Sequence, residues 1–268
     1  MKKSILNLLS TLGVSVSRTP KRTDLLKVIE LYRPRKLINY GLVRIGGAND
    51  GGYVIPDCLG EVRHCFSPGV DTTATFECDL ADRGIDCHLI DYSVESPPPG
   101  LRYKSFTKKY IGPITSGRFV TLSDWIQAVS ETPINDAILQ MDIEGTEYSA
   151  ILETPQELID AFKVIVVELH GLNSLANIWF LRLFKDFSEK LTLNHTVVHL
   201  HPNNCSPPVS VRGILVHPVL EVTLIRSDLM QTDTVEYASS FPSPYDSPCV
   251  VGKRDYVLSP DWVGSNFT

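Results

Sequence analysis

The chain has 268 residues and a formal net charge of -6 at pH 7, and 43% of its residues are hydrophobic. This composition is typical of a soluble globular protein with a sizeable core. The negative charge excludes a broad cationic surface for nucleic acid, so we expect no nucleic-acid partner. No apolar run reaches the roughly 20 residues that a transmembrane helix needs.

In the N-terminal segment, residues 1–38, Lys2 and Lys3 precede an apolar run that imitates a signal peptide. Asn7, Ser10 and Thr11 interrupt the run and no small-residue cleavage site follows, so we predict a short amphipathic leader helix and a cytoplasmic protein. The six cysteines are irregularly spaced and form no C-x-x-C pair, which is typical of reduced intracellular thiols.

The next elements in chain order are a helix and a β-hairpin. Apolar spacing predicts a helix over residues 24–32, and Pro34 follows its end. The run Asn49-Asp50-Gly51-Gly52 between two β-rich stretches predicts a hairpin over residues 42–55. A tight turn explains the glycines, which leaves Arg44, Asp50 and Tyr53 as possible pocket residues.

Residues 62–91 then read as a β-α-β unit: a strand at 62–66, a turn from Ser67 to Asp71, a helix at 73–83 and a strand that ends on Asp91. In nucleoside-binding α/β proteins an acid at this position bonds the ribose hydroxyls, and backbone N–H groups of the first turn accept the charged end of the ligand. An acid that merely ends the strand is the alternative.

Two later apolar runs also end on acids. A strand is predicted at 101–106 and a helix from residue 121 onward. The apolar run 137–141 then stops at Asp142 and Glu144, which share one face of an extended chain. A nucleotide-derived ligand is expected at such a strand end. The alternative is that Asp142 caps a helix beginning near Gly145, with Glu144 and Glu147 as favourable charges in its first turn. The run 163–171 is a buried parallel strand that ends on Glu168 and His170.

The last elements are a helix at 174–189 and two strands at 196–201 and 220–226, which we expect to be antiparallel. The first of these strands carries His199 and His201 on one face. Residues 231–268 are rich in Ser and Pro and are predicted to be an extended arm that packs on the same domain, residues 39–230.

A single histidine is usually structural, but six residues at these strand ends together favour a functional site. They are Asp142, Glu144, Glu168, His170, His199 and His201. One histidine would serve as a general base. Alternatively, Asp142, Glu168 and His170 would hold a divalent metal ion, with Asn203 and Asn204 orienting the acceptor.

Three motifs together resemble the FkbM-type family of S-adenosylmethionine-dependent O-methyltransferases: residues 139–147, residues 166–171 and residues 199–204, ending in His-Pro-Asn-Asn. The resemblance spans residues 40–228. It implies a Rossmann-like class I methyltransferase fold, an α/β fold whose mostly parallel seven-stranded sheet has an antiparallel final strand. It also implies S-adenosylmethionine as cofactor and methyl transfer to a hydroxyl, often of a sugar.

Carried onto this chain, the resemblance assigns roles to individual residues. Ser67, Gly69 and Asp71 would contact the methionine part of the cofactor, Asp91 the ribose and Asp142 the region of the amino group. The turn departs from the usual acidic G-x-G pattern, since it reads Ser67-Pro68-Gly69-Val70-Asp71.

On the acceptor side, His170, His201 and Glu144 are the predicted catalytic residues, acting on a sugar-containing acceptor. The sequence leaves open whether the protein forms a homo-oligomer. Two other classes are also left open: a metal-dependent hydrolase, and a non-catalytic binding domain on a methyltransferase scaffold.

Overall fold

The computed structural model describes residues 17–130, 133–231 and 241–264, together with Thr11. The predicted leader helix therefore lies almost entirely outside the described residues, as does the start of the predicted C-terminal arm. Within the described part of the chain, no helix is both long enough and apolar enough to span a bilayer.

The described residues form seven α-helices and thirteen strands. The helices are α1 Arg22–Ile29, α2 Thr75–Asp82, α3 Leu122–Val129, α4 Glu147–Glu153, α5 Gln156–Asp160, α6 Ile178–Leu191 and α7 Pro260–Val263. The strands are β1 Leu42–Ile45, β2 Tyr53–Pro56, β3 His64–Pro68, β4 Asp86–Ile90, β5 Ser105–Thr107, β6 Tyr110–Ile111, β7 Phe119–Val120, β8 Ala137–Met141, β9 Phe162–Leu169, β10 His195–Pro202, β11 Val209–Val211, β12 Ile214–Val216 and β13 Leu220–Arg226.

Seven of these strands form one sheet in the order β10-β13-β9-β8-β3-β4-β5. Neighbours from β9 through β8, β3 and β4 to β5 are parallel, whereas β13 runs antiparallel to both β9 and β10. The fold is thus the expected Rossmann-like class I arrangement, with β13, the last strand of this sheet in chain order, antiparallel. The order reverses at β3, because β4 and β5 extend to one side of it and β8 and β9 to the other.

The sheet is buried on both faces, which explains the continuous apolar run of β9. Ile165 and Val167 pack on one face with helical residues such as Phe184 of α6, and Val164 and Val166 pack on the other face. The second face is covered by α2 and by the β1–β2 hairpin. The Thr223 hydroxyl of β13 donates a hydrogen bond of 2.7 Å to the Val54 carbonyl and so fixes the hairpin on the sheet.

The predicted hairpin is confirmed: β1 and β2 pair antiparallel, and the Gly52 N–H donates to the Asn49 carbonyl. The helix predicted over 174–189 is present, but its predicted start is too early. A 3-10 turn, Leu172–Ala176, comes first, and α6 begins after Asn177, whose side chain accepts a hydrogen bond from the Trp179 N–H. The pairs β6–β7 and β11–β12 were not predicted, since strands of two or three residues are too short to show alternation.

Candidate functional site

A cavity of about 500 Å³ opens at the carboxyl ends of β3, β4 and β8. Its walls come from the hairpin loop, the turn after β3, the start of α2, strand β6 and the loop that follows β8. This is where the strand order reverses, the position at which open α/β sheets bind their ligands. The volume suits a small molecule or cofactor. Five of the predicted site residues line it: Gly69, Asp71, Asp91, Asp142 and Glu144.

Gly69 allows the turn after β3 to lie directly against the end of β8. Its φ is +89°, and a Cβ atom there would lie only 1.6 Å from the Asp142 carbonyl oxygen. No side chain fits in that gap, so the close approach of the two loops requires glycine. The Gly69 N–H donates to the Ile90 carbonyl at 3.0 Å and thereby ties the turn to the end of β4.

The Asp91 side chain accepts hydrogen bonds from two turns beside the cavity, so Asp91 does not merely end a strand. It is buried, with 7% exposure, and lines the cavity. One carboxylate oxygen accepts from the Asp71 N–H at 2.9 Å, and the other accepts from the N–H and hydroxyl of Ser93 at 2.6 and 2.7 Å. The turns after β3 and β4 are therefore held around one negative charge that borders the cavity.

Ser67 was predicted to contact the cofactor, and the structure corrects this. The residue is fully buried, does not line the cavity and uses its hydroxyl within a polar chain beneath the cavity. Ser67 Oγ contacts Glu77 and lies 2.6 Å from Gln140 Oε1, and Gln140 Nε2 donates to the Tyr53 hydroxyl at 3.2 Å.

Glu77 is a residue that the sequence prediction missed. Its side chain accepts a hydrogen bond from the Ser67 hydroxyl, and burial raises its pKa. Glu77 also lines the cavity. Its sequence signal was its place in the first turn of the helix after the β3 turn.

The alternative in which Asp142 caps a helix is wrong. Helix α4 begins at Glu147, and its N-cap residue, Thr146, has no side-chain cap bond. The loop amides of Ile143 and Gly145 instead donate to the buried Glu147 carboxylate at 3.2 and 3.1 Å. This arrangement leaves the Asp142 carboxylate at the cavity wall.

His170 lies next to Asp142 but does not itself line the cavity. Its Nδ1 atom is 2.9 Å from the Glu147 carboxylate. Its Nε2 atom lies 3.7 Å from Asp142, 3.5 Å from Glu144 and 3.7 Å from Glu168. Three of the predicted residues are therefore assembled around His170, together with Glu147, which sequence reasoning had treated only as a favourable charge in a helix.

The carboxylates alter one another's protonation. Burial raises the pKa of Asp142 to about 7, a rise that His170 opposes and that Glu144 and Asp50 reinforce. Burial, with Asp142 close by, also raises the pKa of Glu168 well above its ordinary value.

His170 responds in the opposite way. Burial on its own would lower its pKa, but the hydrogen bond to Glu147 and the charges of Asp142 and Glu144 outweigh burial, and the pKa is raised. The cluster therefore pairs an imidazole whose pKa is raised with a carboxyl that titrates near pH 7.

Two of the three predicted metal ligands, Asp142 and His170, lie close together, with Glu147 beside them in place of Glu168. Ligand atoms of Asp142, Glu147 and His170 lie within 4.8 Å of one another. Glu168 is adjacent, but its Oε1 atom accepts a hydrogen bond of 3.0 Å from Asn203. Asn203 and Asn204 are buried, and Asn204 binds the backbone of residues 250–254, so neither orients an acceptor as expected.

His201 was predicted to face the acceptor, with His199 on the same face of its strand, and the structure places both histidines elsewhere. They are 2% and 1% exposed and do not line the cavity. His199 Nε2 lies 2.8 Å from the Asp246 carboxylate, and His201 contacts Glu221 through Nδ1 and Asp255 through Nε2, each at 3.1 Å. Both histidines therefore join the sheet to residues 241–264.

No protein-family model matches the chain, and no curated protein sequence matches it. Solved structures of methyltransferases do match the chain. N-methyltransferase NodS from Bradyrhizobium japonicum is 13% identical with a TM-score of 0.30, over 62% of this chain and 85% of that one. An rRNA methylase from Streptococcus thermophilus is 9% identical with a TM-score of 0.31, over 80% and 99%.

A TehB-like SAM-dependent methyltransferase from Corynebacterium glutamicum is 9% identical with a TM-score of 0.30, over 84% and 96% of the two chains. Similarities of this size do not by themselves assign an activity to this chain.

Proposed function

We propose that the protein is an S-adenosylmethionine-dependent O-methyltransferase that acts on a sugar hydroxyl of a glycan, nucleotide sugar or glycoside. The observation that carries the proposal is the cavity at the reversal point of the sheet, where the buried carboxylate of Asp91 directly follows β4 and the glycine turn after β3 faces it. This combination is what a nucleoside with a charged tail requires.

The cavity residues fit the proposed cofactor in three regions. Asp91 would bind the ribose hydroxyls. The apolar side chains of Ile90 and Ile111 line the cavity near it and would contact the adenine ring. The turn containing Gly69 and Asp71 would hold the methionine part, and Asp142 would lie near its amino group. When bound, S-adenosylmethionine supplies a methyl group on a positively charged sulfur.

The residues of the chain must then position a hydroxyl and remove its proton. We assign the proton acceptor to Asp142 together with His170. Asp142 borders the cavity, and a carboxylate whose pKa is about 7 is matched to proton transfer at neutral pH. His170, held by Glu147, stabilises the ionised carboxylate, and Glu144 remains exposed for contact with the acceptor.

The carboxyl groups at the reacting end of the cavity favour a hydroxyl-rich acceptor. Asp50, Asp142 and Glu144 all line the cavity, and Glu168 lies just behind Asp142. Carboxyl groups form hydrogen bonds with sugar hydroxyls in either protonation state, whereas an ionised carboxylate repels a phosphate group brought to the same place. This supports the FkbM-type resemblance over a nucleic-acid acceptor.

A metal-assisted variant of the same reaction would use Asp142, Glu147 and His170. An ion there would bind the acceptor hydroxyl and lower its pKa. Exhaustive chelation of purified enzyme separates the two mechanisms: loss of turnover that added Mg²⁺ or Mn²⁺ restores would favour the ion, and full activity would favour Asp142 acting as the base.

The proposal is tested by calorimetric titration of the full chain with S-adenosylhomocysteine, followed by transfer of a labelled methyl group to a panel of glycosides and nucleotide sugars. We expect one cofactor molecule per chain and label on a sugar. Binding without transfer to any acceptor would favour a non-catalytic binding domain. Absence of binding, with hydrolysis of an ester or glycoside in the presence of a metal, would favour the hydrolase.

A further inference from the structure

A buried cluster outside the cavity contains a histidine, a glutamate and a cysteine from three separate parts of the chain. His201 lies on β10, Glu221 on β13, and Cys249 in the segment formed by residues 241–264; all three are buried. Ligand atoms of the three residues lie within 4.8 Å of one another. None of the three lines the cavity, and the proposed methyl transfer does not use them.

The spacing of the three groups suits one metal ion. His201 Nδ1 is 3.1 Å from one Glu221 carboxylate oxygen, Cys249 Sγ is 3.0 Å from the other, and Sγ lies 3.9 Å from Nδ1. Bonds of ordinary length to Zn²⁺ at tetrahedral angles place ligand atoms about 3.3–3.6 Å apart. Rotation of the Glu221 carboxylate, with small shifts of the other two side chains, would bring one ligand atom from each residue onto one ion.

A fourth residue completes the arrangement around the histidine. Asp255 places its carboxylate 3.1 Å from His201 Nε2, the ring nitrogen that faces away from Glu221 and Cys249. Histidines that bind zinc through one nitrogen commonly donate the other N–H to a carboxylate, which fixes the ring and strengthens the metal bond. We propose that His201, Glu221 and Cys249 bind a zinc ion, with Asp255 orienting His201.

Zinc binding would release protons from this cluster. Coordination requires a thiolate on Cys249 and an Nδ1 atom of His201 that carries no proton, and any proton displaced from either group passes to solvent.

The ion would fasten the segment of residues 241–264 to the sheet and to the hairpin loop. The Asp50 N–H donates to the Cys249 carbonyl at 3.4 Å, and the Ser247 hydroxyl contacts the Ala48 carbonyl. Asp50 itself lines the cavity. The zinc would therefore have a structural role. The hydrogen bond between the Asp50 N–H and the Cys249 carbonyl would connect the zinc site to the cavity wall.

The test uses the full chain with cobalt as a spectroscopic substitute for zinc. We expect one equivalent of zinc to remain after dialysis. After exchange for Co²⁺, we expect the thiolate-to-cobalt charge-transfer band and the visible bands of a tetrahedral site. The Asp142, Glu147 and His170 group contains no sulfur, so the thiolate band identifies this cluster specifically.

Cys249→Ser should lose the thiolate band, and Cys205→Ser, which changes an exposed cysteine, should keep it. Because Cys249→Ser could fail to fold, Asp255→Asn provides a second variant, which should keep the band and lower zinc affinity about 10–100-fold. A wild-type chain that retains no zinc and shows no thiolate band would overturn the proposal, as would a Cys249→Ser variant with an unchanged spectrum.

Discussion

The imidazole of His170 connects two carboxylates that face different environments: Nδ1 contacts the fully buried Glu147 at 2.9 Å, and Nε2 lies 3.7 Å from Asp142 at the cavity wall. Glu147 thus orients the ring that stabilises Asp142. The reactive properties of Asp142 consequently depend on a residue that no ligand in the cavity would touch.

We expect Asp91→Ala to weaken binding of S-adenosylhomocysteine strongly. Each hydrogen bond from a ribose hydroxyl to the carboxylate contributes roughly 1.5–3 kcal/mol, so the affinity should fall at least tenfold. Isothermal titration calorimetry measures this directly. Asp86→Ala, at the other end of β4, is the matched control and should bind like wild type. Equal affinities for all three proteins would remove Asp91 from the site.

Gly69→Ala should abolish cofactor binding, because the added methyl group meets the Asp142 carbonyl. Gly84→Ala is the control for backbone strain, since Gly84 also has positive φ, +81°, but nothing lies within 4 Å of its Cβ position. The control should cost only about 1–2 kcal/mol of stability. Thermal unfolding and calorimetry together measure both effects. Similar behaviour of the two variants would mean that strain alone matters at Gly69.

The methyl-transfer rate should rise with pH through about 7, because Asp142 accepts a proton only when ionised. Asp142→Asn should lower the rate by roughly 10²–10⁴-fold and remove that rise. Cofactor affinity is measured alongside, since Asp142 also borders the amino-group region. A variant with the wild-type pH profile would show that another group is the base.

Asp142→Asn should also change the pH dependence of stability, because ionisation of Asp142 raises the transfer rate but lowers the stability of the folded protein. A carboxyl pKa that is raised on folding means that the folded state holds its proton more tightly, so the wild-type protein loses stability as pH rises from about 4 to about 7. Asparagine does not titrate. The melting temperature of Asp142→Asn relative to wild type should therefore be higher at pH 8 than at pH 4. A pH-independent difference would contradict the raised pKa.

His170→Ala should lower the transfer rate by roughly 10²–10⁴-fold and leave cofactor affinity nearly unchanged, because His170 supports Asp142 without lining the cavity. His64→Ala, at the amino end of β3, changes a histidine far from the carboxyl edge and serves as the control. An unaltered rate for His170→Ala would make this histidine purely structural.

The strand ends were predictable from the sequence, and the side-chain directions at those ends were only partly so. Asp91 and Asp142 follow apolar runs in the order of a Rossmann-like sheet, and both reach the cavity. His201 follows the same type of run, yet β13 and residues 241–264 enclose it. The contact with Asp255 spans 54 residues, and no local pattern reveals it.

For His201 the sequence overstated the functional role, whereas for Glu147 it understated that role. A glutamate in the first turn of a helix is explained by local electrostatics alone, so its role as the residue that orients His170 has no sequence signal. Only the packing of α4 beside the end of β9 brings these two residues together.

The polar chain beneath the cavity gives the hairpin a fixed angular position on the sheet. Tyr53, Gln140, Ser67 and Glu77 belong to a hairpin strand, two sheet strands and a helix, and each holds the next through a directional bond. An apolar contact in the same place would permit the hairpin to slide. Together with the Thr223–Val54 hydrogen bond, the polar chain therefore holds the hairpin that roofs the cavity to the sheet at two separate points.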